Sequence, residues 1–129
     1  MKYLIQRVDE WTNKQGRQAR ARGLEYQVCD DSTPDLHHDP KRMAGALYSL
    51  IAPATAAEPA PGIFHHARIV VRGTHGEHWL DGVKVLEFET TNPAIAARLS
   101  VDPSGSPISL QNHHSEAWFR NLRLRHLPD

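Results

Sequence analysis

The sequence predicts an all-β protein, an antiparallel β-sandwich or jelly roll with one short helix. Three observations carry that reading. Arg68–Glu89, RIVVRGTHGEHWLDGVKVLEFE, reads as three short strands joined by two tight turns. Gly23–Asp31, GLEYQVCDD, alternates along its length, with Leu24, Tyr26 and Val28 on one side and Glu25, Gln27 and Cys29 on the other. Turn residues punctuate the chain as a whole into about seven strands.

Taken in order, Lys2–Val8 alternates loosely as a strand with Tyr3, Ile5 and Val8 on one side. Asp9–Arg22 is polar and reads as a long hairpin loop or a short frayed helix. After the Gly23–Asp31 strand, Asp30–Lys41 holds two prolines, four aspartates and the pair His37-His38, and is a loop. Arg42–Ile51, RMAGALYSLI, is apolar, a strand or a short helix. Ala52–Gly62 is a Pro- and Ala-rich connection, too short-flanked to be a domain linker. In the meander, Ile69–Val71 is the first strand, Gly73–Gly76 its turn and Glu77–Leu80 the second. Asp81-Gly82 is the strongest hairpin signal in the chain, because both central residues of a type I′ turn need positive φ. Val83–Phe88 returns as the third strand, with Lys84 and Glu87 exposed. Asn92–Leu99 starts with a capping Asn and a first-turn Pro and is the one helix. Pro107–His113 and Ala117–Leu127 alternate as two final strands, the second with a bulge near Arg120-Asn121.

Composition narrows the function. The 129 residues make one domain, 1–129, with 15 basic and 15 acidic residues and no net charge. A mixed, neutral surface argues against nucleic acid and against an anionic membrane as partner. No apolar run approaches the roughly 18–20 residues of a membrane span. The N-terminus lacks a signal-peptide pattern, so the expected location of the chain as written is the cytoplasm; a longer parent with a signal would be periplasmic or secreted. Cys29 is the one cysteine and reads as inert packing.

Four stretches, GLEYQVCDD at 23–31, RMAGALYSLI at 42–51, ARIVVRGTHGEHWLDGVKVLEF at 67–88 and ISLQNHHSEAWFRNLRLR at 108–125, resemble the 3-keto-disaccharide hydrolase domain family in that family's order. The resemblance implies a concanavalin-like jelly roll with a cleft on the concave sheet. It implies chemistry on sugars oxidised at C3, in which the glycosidic bond is broken by elimination and hydration, with room for a divalent metal. Family members carry a further N-terminal portion ending in a segment like NSGIKY, and Met1-Lys2-Tyr3 resembles its interior, so the domain is expected to lack N-terminal strands. The family's Glu-Trp-Asn is Ile63-Phe64-His65 here, and its Asp-His-Gly is Asn112-His113-His114.

The candidate site follows from both readings. Glu25 and Gln27 share a strand face, about 6.5–7 Å apart, and Glu25 is the expected general base, with His113 as the other catalytic candidate. Gln27, His78, Gln111 and Arg120 are the expected substrate-binding residues; each also has a plain structural reading, His78 as a core histidine and Arg120 as an ion-pair partner. Metal ligands are left unassigned. Asp30, Asp31, His37, His38, His113 and His114 have suitable donor atoms but no tight ligand spacing. The expected partner is a 3-keto-glycoside. Exposed sheet edges would favour a homodimer. The alternatives are a non-catalytic carbohydrate-binding or interaction module on the same sandwich, and an inactive fragment.

Overall fold

The computed structural model describes residues 1–13, 16–32, 39–55, 59–99, 106–111 and 116–128. Two antiparallel sheets form the body. The first pairs β1 (Lys2–Asn13) with β2 (Gly16–Glu25), and the second runs β3 (Ala67–Arg72), β4 (His75–Leu80), β5 (Val83–Glu89). Helix α1 (Pro93–Ala96) follows, with the Asn92 side chain accepting from the Ala94 N–H at 3.0 Å. The architecture is the all-β, two-sheet arrangement of a β-sandwich. No helix among the described residues is long and apolar enough to cross a membrane.

The meander forms as its pattern dictates. The second turn has Asp81 at φ 49° and Gly82 at φ 83°, the type I′ geometry whose twist matches the flanking strands. The first turn is tighter than expected: Arg72 pairs with His75, so only Gly73-Thr74 lies between the strands. Lys84 and Glu87 are exposed. On β5 the register slips at Val85, because Lys84 faces Trp79 while Leu86 faces His78. This bulge turns Val85 and Leu86 both inward, Val85 toward Leu80 and Ala44, Leu86 toward Phe88.

The main core lies between the sheets. Tyr3, Leu24 and Tyr26 from the β1–β2 side meet Leu86 and Phe88 from the meander, with Leu47 and Ile95 added from the connections. Gly76 is required on the inner face of β4, since a Cβ there would stand 2.2 Å from the Phe88 ring.

Four segments depart from the sequence expectation. Asp9–Arg22 is neither a loop nor a helix: β1 and β2 run as one long hairpin, in register from Arg7–Arg22 to Asn13–Gly16. A two-stranded ribbon is held by its backbone ladder, so it needs no apolar face to form that ladder. Arg42–Ile51 is not a strand. It follows a 3₁₀ turn at Pro40–Arg42 and folds back on itself, with single bridges from Leu47 to Tyr26 and to Ile51. Within Pro107–His113, the described residues contribute one bridge, Ser109 to Lys2. Ala117–Leu127 carries no strand; Asn121 is at φ 54°, and Trp118, Leu122 and Leu124 are exposed. Alternation permits a strand, but only a neighbour with free backbone groups makes one.

Candidate functional site

The neighbourhood of Glu25 is built by three stretches lying side by side. Lys2 pairs with Glu25 in the β1–β2 ladder and bridges Ser109 on its other side, with backbone hydrogen bonds of 2.8 and 2.9 Å. Beyond Glu25, the 43–48 turn closes the far edge: the Tyr48 N–H donates to the Glu25 carbonyl at 2.9 Å and the Gln27 N–H to the Ala46 carbonyl at 3.1 Å. Alternation from buried Leu24 and Tyr26 puts the Glu25 side chain on the face turned away from the core. Its carboxylate lies 3.6 Å from the Lys2 ammonium, with 15% of the Glu25 side chain and 7% of the Lys2 side chain exposed. Lys2 was not among the residues expected at this site. Its signal in the sequence was parity, since it precedes core-facing Tyr3 and so shares the outward face.

The other expected residues divide. Gln27 is half-buried two positions beyond Glu25, and Gln111 is half-buried two positions beyond Ser109, so the topology brings both near the Lys2–Glu25 pair. His113 lies outside the described residues, as do His37, His38 and His114. The Arg120 guanidinium stacks 3.8 Å over the Phe64 ring, and Phe64 packs against Trp118 at 6.4 Å.

The structure places His78 in the core rather than in a cleft. It is fully buried, ringed by Tyr3, Tyr26 and Phe88. Nδ1 faces the Gly45 carbonyl at 2.8 Å, which can only accept, so Nδ1 carries the proton; Nε2 then accepts from the Tyr3 hydroxyl at 2.6 Å. Burial drives the imidazole down from 6.5 to about 4, against the opposing pull of the Gly45 carbonyl, and holds the Tyr3 hydroxyl protonated. This histidine ties β4 to β1 and to the 43–47 turn.

Cys29 donates to the Asp31 carboxylate at 3.0 Å, and the same oxygen accepts from the Ala44 N–H at 2.8 Å. Burial first, then that carboxylate, push the thiol up to about 12, so it is no nucleophile at neutral pH. Asp30 is held by the Ser32 backbone and hydroxyl within its own loop. Among the described residues, the donor atoms that converge as a metal ion requires belong to His75, Glu77 and Glu87, all within 4.8 Å of one another. These lie on the outward face of the meander, whereas Glu25 lies on the outward face of the other sheet.

Comparison with known proteins agrees with the fold. A family model described as a 3-keto-alpha-glucoside-1,2-lyase-like domain matches residues 4–125. A 3-keto-disaccharide hydrolase of Bacteroides thetaiotaomicron is 32% identical over 125 residues, a match covering 78% of this chain and 43% of that relative. The match thus takes in less than half the length of the relative. By the extent of the family match, the chain belongs to the 3-keto-α-glucoside-1,2-lyase-like domain family.

Proposed function

We propose that this chain acts on 3-keto-glycosides, with Glu25 as the base that opens the glycosidic bond. The observation that carries the reading is the family match over 4–125 together with a relative named for 3-keto-disaccharide hydrolysis. A C3 ketone acidifies the neighbouring C2–H. The Glu25 carboxylate takes that proton, and the electron pair forms an enolate across C2 and C3. The enolate then expels the C1 oxygen substituent, leaving a C1–C2 double bond conjugated to the ketone, while the departing oxygen takes up a proton. Water adds across the double bond, oxygen to C1 and hydrogen to C2, and the sum is hydrolysis. The Lys2 ammonium, 3.6 Å from the Glu25 carboxylate, offsets the negative charge of the enolate. Gln27 and Gln111 bind sugar hydroxyls, and His113 is the second acid–base group. Arg120, stacked on Phe64, keeps its in-plane N–H donors for a sugar hydroxyl. A divalent ion would polarise the C3 carbonyl, but His75, Glu77 and Glu87 face away from Glu25, so no step is routed through them.

A second reading, a carbohydrate-binding module without turnover, is favoured by one feature: the Lys2–Glu25 pair is mostly covered, at 7% and 15% exposure. A proton NMR time course of the chelator-treated chain with a 3-keto-disaccharide separates the two. Loss of the substrate anomeric signal, abolished in Glu25→Gln, supports the enzyme. Shifted sugar signals with no loss support the binding module.

A further inference from the structure

We propose that His75, Glu77 and Glu87 form a surface site for one late first-row divalent cation, such as Zn²⁺, held on the outward face of the meander and independent of the Glu25 reaction. Three strand positions converge to make it. His75 and Glu77 are two apart on β4 and share a face, and the register sets Glu87 directly opposite Glu77. The β5 bulge is what brings it there, since an unbroken two-residue hairpin would have placed Leu86 opposite Glu77.

Two of the three ligands are already oriented. The Trp79 indole donates to Glu77 Oε2 at 2.7 Å, leaving Oε1 to face the cluster. Glu89 Oε1 lies 2.9 Å from His75 Nδ1, and its second oxygen accepts from the Thr74 hydroxyl at 2.8 Å. With Nδ1 donating to Glu89, Nε2 is the nitrogen turned to the cluster, 3.5 Å from Glu77 Oε1, and a bound metal takes the place of its proton. A carboxylate holding the far nitrogen of a histidine is the usual outer shell of a metal ligand. The place also attracts a cation already. The Lys84 ammonium bonds Glu87 and lies 3.7 Å from Glu77 Oε1, between the two carboxylates a metal would use. One imidazole and two carboxylates, completed by water, suit Zn²⁺ or Co²⁺ better than Mg²⁺ or Ca²⁺, which prefer oxygen alone. Lys84 is then a competitor for the position, and the metal must displace it.

The test is calorimetric titration of the chelator-treated chain with zinc chloride, with the imidazole signals of His75 followed by NMR. The expected result is one-to-one binding that perturbs His75, weakened at least about tenfold by Glu77→Gln or His75→Gln and not reproduced by Mg²⁺. Removing the competing charge in Lys84→Gln should tighten binding about tenfold, the scale of one displaced surface charge. All three side chains sit at the surface, and unchanged melting temperatures confirm that the variants fold. Zinc affinity unmoved by Glu77→Gln and His75→Gln would assign the ion to other histidines and overturn the proposal. So would a Lys84→Gln variant that binds no tighter than the parent.

Discussion

Acid should unfold this protein through His78. The ring is neutral and fully buried, with Nδ1 donating to Gly45 and Nε2 accepting from Tyr3. Its folded-state value is about 4 against an ordinary 6.5. Between those two values the unfolded chain binds a proton at this ring and the folded chain does not, so stability falls as pH falls from 6.5 toward 4. The gap of about 2.5 pH units, at about 1.4 kcal/mol each, is worth about 3 kcal/mol. That is a large part of the stability of a domain this size. Urea unfolding at pH 7.5 and pH 4.5, followed by tryptophan fluorescence, measures it. Carboxylates titrate in the same range, so the comparison is with His78→Gln, whose amide can donate to Gly45 and accept from Tyr3 without titrating. The parent should lose about 2–3 kcal/mol more than the variant between the two pH values. Equal losses would refute the assignment. If the variant does not fold, the imidazole of the parent can be titrated directly by NMR, and protonation of His78 near pH 6.5 in the folded state would refute it equally.

Two further outcomes follow from geometry. Gly76→Ala puts a Cβ against the buried Phe88 ring and should cost about 1–3 kcal/mol in urea unfolding, whereas a neutral result would mean that the ring has room to move. His65 has acceptors at both nitrogens, Asp81 at 2.6 Å and the Ala60 carbonyl at 2.8 Å, and these bonds, led by the one to Ala60, raise its pKa. The clasp it makes from the 60–65 connection to the hairpin turn is therefore complete while the ring is protonated and Asp81 ionised, and loses one of its two donated bonds as pH rises through that raised value. An NMR titration should find the His65 midpoint above 6.5 and moved back toward it in Asp81→Asn, and a midpoint at or below 6.5 in the parent would contradict the geometry.

The parts of the fold legible in the sequence are those whose cause is local. Asp81-Gly82 specifies a type I′ turn through its own φ angles, and Asn92-Pro93 starts a helix by its own capping. Tyr3, Ile5, Leu24 and Tyr26 were legible by alternation, and all four are buried. What escaped depends on neighbours. The bulge at Val85 cannot be read from residue types, and without it Glu87 would not meet Glu77. The family resemblance of HWLDG suggests a cleft for His78, against its plain reading as a core histidine. Parity with Gly76 and Leu80 favours the core reading, and the structure follows it: Trp79 sits on the outward face with its indole on Glu77, and His78 fills the core. Glu25 was visible as an outward carboxylate, but its partner Lys2 is 23 residues away along the chain and depends on the hairpin register.

The central claim is that the C2 proton leaves before the glycosidic bond breaks. It is tested most directly by running a 3-keto-disaccharide with the protein in D₂O and reading the C2 position of the released 3-keto sugar by NMR and mass. Elimination and rehydration predict one deuterium at C2, appearing at the rate of cleavage and lost together with cleavage in Glu25→Gln. Product that keeps protium at C2 while the bond is cut would mean direct displacement at C1, and would contradict the account.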